Sequence, residues 1–224
     1  MSLSQRAVVY TFAVITSLLC RIDDAALAQV PRQGPLILVT NHVNILEIPI
    51  IYTHLQPRPL NGMVLGARWR NRLLGWLLDV AESVPLQRGE PNFAGLRKGI
   101  ALLKAGRILI ISPEGTRSGH GRLTEAHAGF IPLALSAQAP LLPVAYFGSE
   151  HWKENIRRLR RTDFHIAVGK PFKLRSPGVR LDPALRQNIV DEVMYQVAAL
   201  LPPQYRGVYS NLGAATTAHL DFQS

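Results

Sequence analysis

Short unbroken apolar runs alternate with amphipathic stretches along this chain, a rhythm that predicts strands and helices in turn. Residues 31–35 read as a turn, with prolines at both ends and a glycine between. The run Leu36-Ile37-Leu38-Val39-Thr40 that follows suits a strand buried on both faces. A helix is expected to start near Pro49, because proline is best tolerated at a helix start, and to run through His54, ending before Pro57. Residues 62–65 read as a strand. Residues 68–78 read as a helix, with Leu73, Leu74, Trp76, Leu77 and Leu78 on one side and Arg68, Arg70 and Arg72 on another. Residues 92–104 form a further amphipathic helix, stopped by Gly106. Residues 107–111 give a second buried strand, 129–137 a helix, and Leu141–Phe147 and 164–168 two more strands. Residues 181–201 are a long helix ended by Pro202-Pro203.

This order predicts an α/β fold: a single-domain sandwich with a largely parallel central sheet flanked by helices. The expected divisions are an N-terminal membrane-associated helical segment at 1–30, the domain proper at 31–201, and a tail at 202–224. Parallel sheets carry their sites beyond the carboxyl ends of the strands. Two polar clusters fall at such ends: Thr40-Asn41-His42 and Pro113-Glu114-Gly115-Thr116-Arg117.

Composition narrows the partners. Hydrophobic residues at 47% and charged residues at 18% exclude a largely disordered chain. The net charge of +10 calls for anionic partners: lipid headgroups, nucleotide phosphates or nucleic acid. No zinc knuckle, aromatic stacking motif or other nucleic-acid module is visible, so no nucleic-acid partner is expected. The one cysteine, Cys20, can form no internal disulfide. The apolar run at 7–20 lies between Arg6 and Arg21. As a helix it covers about 21 Å, short of a hydrocarbon core of roughly 30 Å. A helix lying in one leaflet suits it, with Arg6, Arg21 and Arg32 near the headgroups. Ala26-Leu27-Ala28 also fits a signal-peptide cleavage site, although Asp23 and Asp24 sit awkwardly before it.

His42 is the natural base at neutral pH, since an imidazole titrates near ~6.5. A carboxylate on its far nitrogen would fix the tautomer and stabilise the imidazolium. Glu47, five positions on, can supply it from a point before the helix proper. The competing reading is a capping box, with Asn44 as N-cap and Glu47 reaching back. Two candidate ligands do not make a metal site, and no Cys/His/Asp cluster completes one, so no metal is expected. The loop from Ser112 to Gly121 is glycine-rich and carries Arg117, whose planar fork fits a phosphate. It is not a P-loop, for it has no Gly-Lys-Ser/Thr triplet. A mobile surface turn would explain it equally well. Arg88, in Val84-Pro85-Leu86-Gln87-Arg88-Gly89, could form the other jaw of a phosphate clamp or be a solvated arginine.

Together these segments resemble the glycerolipid acyltransferase family typified by 1-acylglycerol-3-phosphate acyltransferase. That family's Asn-His-(four residues)-Asp motif reads Asn41-His42-(Val-Asn-Ile-Leu)-Glu47 here, with glutamate for aspartate. Pro113-Glu114-Gly115-Thr116-Arg117-Ser118 matches the family's Pro-Glu-Gly-Thr-Arg-Ser motif unaltered. The segment around Arg88 and Leu141-Leu142-Pro143-Val144-Ala145 resemble two further motifs. The resemblance implies catalysis by His42 and Glu47, with acceptor binding by Arg88, Glu114, Gly115, Thr116 and Arg117. The acyl donor would be acyl-CoA or acyl carrier protein, used as substrate, with no cofactor. The acceptor would be a lysophospholipid or glycerol 3-phosphate. The expected location is a membrane surface, peripheral or monotopic, with the site on the cytoplasmic side among membrane phospholipids. A catalytically impaired lipid-binding relative is the alternative that Glu47 leaves open.

Overall fold

The computed structural model describes residues 1–86, 93–176, 178–179 and 181–222. Ser2 starts the first helix, α1 (Leu3–Leu19), through a capping box: its hydroxyl accepts the Gln5 N–H, and the Gln5 side chain accepts the Ser2 N–H. The chain turns extended at Cys20, and Cys20–Asp23 is strand β1. Strand β2 (Leu36–Thr40) is buried at every residue, as its unbroken apolar run predicts. Helix α2 (Glu47–His54) and strand β3 (Leu60–Leu65) follow. The helix expected at 68–78 is split. A 3-10 turn spans Gly66–Arg70, and α3 (Arg72–Val80) starts afresh where the Asn71 side chain accepts the Leu74 N–H. Then come β4 (Val84–Leu86), α4 (Phe93–Lys104), β5 (Ile108–Ile111), α5 (Ile131–Ala137), β6 (Leu141–Phe147), α6 (Trp152–Arg157) and β7 (Thr162–Val168). The chain ends with β8 (Lys173–Leu174), α7 (Pro183–Leu200), whose N-terminus Asp182 caps, and β9 (Leu220–Asp221).

The main sheet has the order β1-β7-β6-β2-β5-β3-β4. From β6 to β4 all neighbours are parallel; β7 runs antiparallel to β6, and β1 parallel to β7. Apolar side chains of α4, α5 and α7 cover one face of the sheet, those of α2 the other, with α1 packed on α2 and α3. This is the three-layer α/β sandwich that alternating elements imply.

One further expectation changes. Glu47 is the first residue of α2, not a residue before it. Pro49 falls in the first turn, where backbone N–H groups have no intrahelical acceptor and its missing donor breaks nothing. Strand β1, from the segment set apart at 1–30, pairs with β7 as an edge strand of the main sheet. Among the described residues no helix is long and apolar enough to cross a membrane.

Candidate active site

Register brings the two polar clusters together. β2 and β5 are parallel neighbours with Leu38 beside Ile110 and Val39 beside Ile111, so both strands end at the same level. Thr40 and Ser112, the next residues on each, share a hydrogen bond of 3.0 Å between their hydroxyls. On the other side of β2, Asn41 extends the pairing to β6 with its side chain. Its Nδ2 donates to the Tyr146 carbonyl and its Oδ1 accepts the Tyr146 N–H, both at 2.8 Å. His42 therefore leaves the middle of the sheet from a backbone fixed on both flanks.

The His42 Nδ1 lies 2.6 Å from Glu47 Oε2. The other Glu47 oxygen accepts the N–H groups of Val43 at 2.7 Å and Asn44 at 2.6 Å. The carboxylate is thus buried, at 1% exposure, yet held by its ligands, while the imidazole is 18% exposed. Bonding of Nδ1–H to the carboxylate leaves Nε2 as the acceptor nitrogen. The bond to Asn44 N–H is half of the capping box the sequence offered; the other half is absent, because Leu46, not Asn44, is the N-cap and the Asn44 side chain accepts the Leu46 N–H. Asn44 anchors the turn: its Nδ2 donates to the carbonyl and hydroxyl of Ser149, each at 2.9 Å, and its Oδ1 accepts the Leu46 N–H.

Glu114 ties the second cluster to the first. Its Oε1 accepts the His42 N–H at 2.8 Å, and its Oε2 accepts the Thr124 N–H and hydroxyl at 3.0 and 2.8 Å. The loop then folds back across the first motif: Ser118 N–H donates to the His42 carbonyl at 2.8 Å and Gly119 N–H to that of Val43 at 2.9 Å. Gly115 makes the turn possible with a φ of 66°, its N–H closing on the Ser112 carbonyl at 3.0 Å.

Of the residues singled out in the sequence, His42 is in direct contact with both Glu47 and Glu114. Gly115, Thr116 and Arg117 are exposed on the loop that crosses His42, with Arg117 preceding the Ser118 contact. Arg88, with Gln87 and Gly89, lies outside the described residues. Sequence reasoning gave Asn41 and Asn44 no part in bracing the site and missed Thr124 and Ser149. The signal for Asn41 was legible: a polar side chain continuing an unbroken buried strand needs partners. Thr124 and Ser149 stand in stretches without pattern. Among the described residues no group of three or more His, Cys, Asp or Glu side chains converges as a metal site would.

Fold and site together define an α/β protein with a histidine–carboxylate pair and an arginine-bearing loop at the carboxyl end of a largely parallel sheet. Residues 21–147, more than half the chain, match the family described as Acyltransferase, and the chain belongs to that family. It is 23% identical to 1-acyl-sn-glycerol-3-phosphate acyltransferase of Pseudomonas aeruginosa, over 83% of this chain and 72% of the relative. It is 32% identical to lyso-ornithine lipid O-acyltransferase of the same organism, over 64% of this chain and 61% of the relative. The crystal structure of the 1-acyl-sn-glycerophosphate acyltransferase from Thermotoga maritima has the same fold, with a TM-score of 0.60 at 20% identity, covering 84% of this chain and 76% of that one.

Proposed function

We propose that this chain moves an acyl group from an acyl-CoA or acyl carrier protein thioester to the hydroxyl of a lysophospholipid such as 1-acylglycerol 3-phosphate, with His42 as general base. His42 Nε2 takes the hydroxyl proton as the oxygen attacks the thioester carbonyl. The tetrahedral intermediate collapses with cleavage of the C–S bond, and the imidazolium returns the proton to the departing thiolate. Glu47 keeps Nδ1 protonated and stabilises the imidazolium. Arg117 grips the acceptor's phosphate, joined by Arg88; Glu114, Gly115 and Thr116 shape that pocket. No cofactor takes part.

The observation that carries this reading is the 2.6 Å contact between His42 Nδ1 and Glu47 Oε2. Glu47 is longer than the aspartate of the resembling motif. From the first turn of α2 it still meets the imidazole while taking two backbone N–H groups. That favours an active enzyme over an impaired relative. The chain works at a membrane surface, peripheral or monotopic, with its site on the cytoplasmic side where thioester donors are made. Support comes from the outer side of α1, where Leu3, Tyr10, Val14 and Leu18 recur at helical spacing and are exposed, and from exposed Leu73 and Trp76 on neighbouring α3.

A second acceptor is favoured by the 32% identity to the lyso-ornithine lipid enzyme. An arginine fork binds a carboxylate as well as a phosphate, so Arg117 serves an amino-acid headgroup too. The test is mass spectrometry of products from the purified full chain, offered mixed lysolipids and both donor types. Acylated 1-acylglycerol 3-phosphate is expected, and its loss in His42→Ala. Full turnover by His42→Ala would overturn the mechanism.

A further inference from the structure

Helix α6 ends in a Schellman motif. Arg160 N–H donates to the Asn155 carbonyl at 2.8 Å, and Leu159 N–H to the Ile156 carbonyl at 3.0 Å. The residue in the left-handed position is Leu159, at φ 52°. Glycine suits that position, because a Cβ is strained there. Leu159 gains no burial in return, for it is 97% exposed. Arg157, Arg158, Arg160 and Arg161 flank it. Arg158 pairs with Glu154, and Arg161 donates to the Cys20 carbonyl. Among the described residues no carboxylate pairs with Arg157 or Arg160.

Topology sets this turn at the site end of the molecule. β7 runs antiparallel to β6, with His165 opposite Phe147, so β7 begins where β6 ends. β6 is parallel to β2, so this is also the end from which His42 emerges. Cys20 pairs with Thr162, so exposed Leu18, at the end of α1, arrives at the same edge.

We infer that the 157–161 turn is a second membrane contact: Leu159 inserts among lipid chains, and Arg157 and Arg160 meet the phosphates of anionic lipids. This rests on the membrane-surface reading above and adds the contact that turns the site end of the sheet toward the bilayer. A soluble phosphate compound would use the arginines and leave the leucine in water. An apolar tip ringed by cations matches a medium that is anionic at its surface and apolar beneath.

The test is sedimentation of the full chain with phosphatidylcholine vesicles, with and without phosphatidylglycerol, alongside thermal melting. Leu159→Gly relaxes the left-handed position, so its Tm stays or rises while vesicle partitioning falls about tenfold. Arg157→Gln with Arg160→Gln costs about tenfold on phosphatidylglycerol vesicles and little on neutral ones. Leu159→Cys carrying an environment-sensitive fluorophore shifts to the blue on vesicles; Cys20 is buried and does not compete for label. Turnover of a short-chain, water-soluble acceptor is unchanged in Leu159→Gly. If the unaltered chain ignores every vesicle, the membrane reading falls and this contact with it. If it binds and Leu159→Gly binds equally, this contact alone is overturned. If the arginine pair variant keeps vesicle binding and loses turnover only with acyl carrier protein, the turn docks that protein instead.

Discussion

Glu114 Oε1 accepts the backbone N–H of His42 at 2.8 Å, so the acid of one motif holds the main chain of the histidine in the other. Burial pushes the Glu114 carboxyl above its ordinary value, against hydrogen bonds from the Thr124 side chain, His42 N–H and Thr124 N–H. An acid kept buried at that cost is a brace for geometry: it fixes where the imidazole starts, while Glu47 fixes where it points.

Glu114→Ala strands the N–H groups of His42 and Thr124 without acceptors. The expected loss of stability is about 2 kcal/mol or more, partly offset by removal of a buried carboxylate. Glu114→Gln keeps one acceptor oxygen and turns an NH2 group toward the other donors, so it falls between. Both variants should lose kcat, because the base is no longer held. Urea unfolding and steady-state kinetics check this; wild-type stability in Glu114→Ala would remove the bracing role.

The Glu47 series separates charge from length. His42→Ala should lower kcat by about a hundredfold or more with the fold intact, since the imidazole is partly exposed. Glu47→Gln keeps the reach and loses the charge that stabilises the imidazolium, and should approach that loss. Glu47→Asp keeps the charge but cannot reach Val43 N–H, Asn44 N–H and His42 Nδ1 together from the start of α2. It should therefore lose both stability and turnover although it restores the residue of the resembling motif. Wild-type kinetics in Glu47→Asp would show that the contact set does not matter.

Arg117 is exposed and its side chain is not part of the packing, so Arg117→Ala should leave the melting temperature within about 2 °C. Its effect should fall on KM for an anionic acceptor, raised about tenfold or more, with KM for the thioester donor unchanged. Arg117→Lys keeps the charge and loses the fork, and should recover only part of the loss. Equal effects on both substrates would assign Arg117 to something other than the acceptor.

The long strands were legible because burial on both faces leaves an unbroken apolar run, as in Leu36–Thr40 and Leu141–Phe147. The same pattern marks the candidate site, since His42 and the segment bearing Glu114 each come shortly after such a run. Short edge elements were not legible. β1 is Cys-Arg-Ile-Asp, half charged because only part of it is covered, and α6 is a single short helix within a basic stretch. The start of α2 was misread because the preference of proline for the first helical position was applied as a boundary, whereas the whole first turn tolerates it. The braces on the site were hidden for another reason: Asn44 with Ser149, and Glu114 with Thr124, are set by tertiary contact and leave no local period.

Glu192 makes the C-terminal tail sensitive to acid. It is buried on α7 and accepts the Thr216 hydroxyl at 2.6 Å, Ala218 N–H at 3.0 Å and His219 N–H at 2.8 Å, with His219 Nδ1 at 3.2 Å. Burial alone would raise its pKa; the hydrogen bonds from Thr216 and His219 outweigh it, and the net position is below the ordinary value. The folded state therefore holds the proton less tightly than the unfolded state. The stability Glu192 contributes is complete above the unfolded pKa, near ~4.3, and is lost as the pH falls through the lower folded value. Glu192→Gln cannot titrate and leaves donors unmatched, so it should be less stable than wild type at neutral pH, with the gap closing below about pH 4. Urea unfolding of both proteins across that range measures the gap, and proteolysis of the 216–220 segment reports where it opens. A gap that stays constant from neutral to acid pH would show that the tail is held by packing and not by this carboxylate.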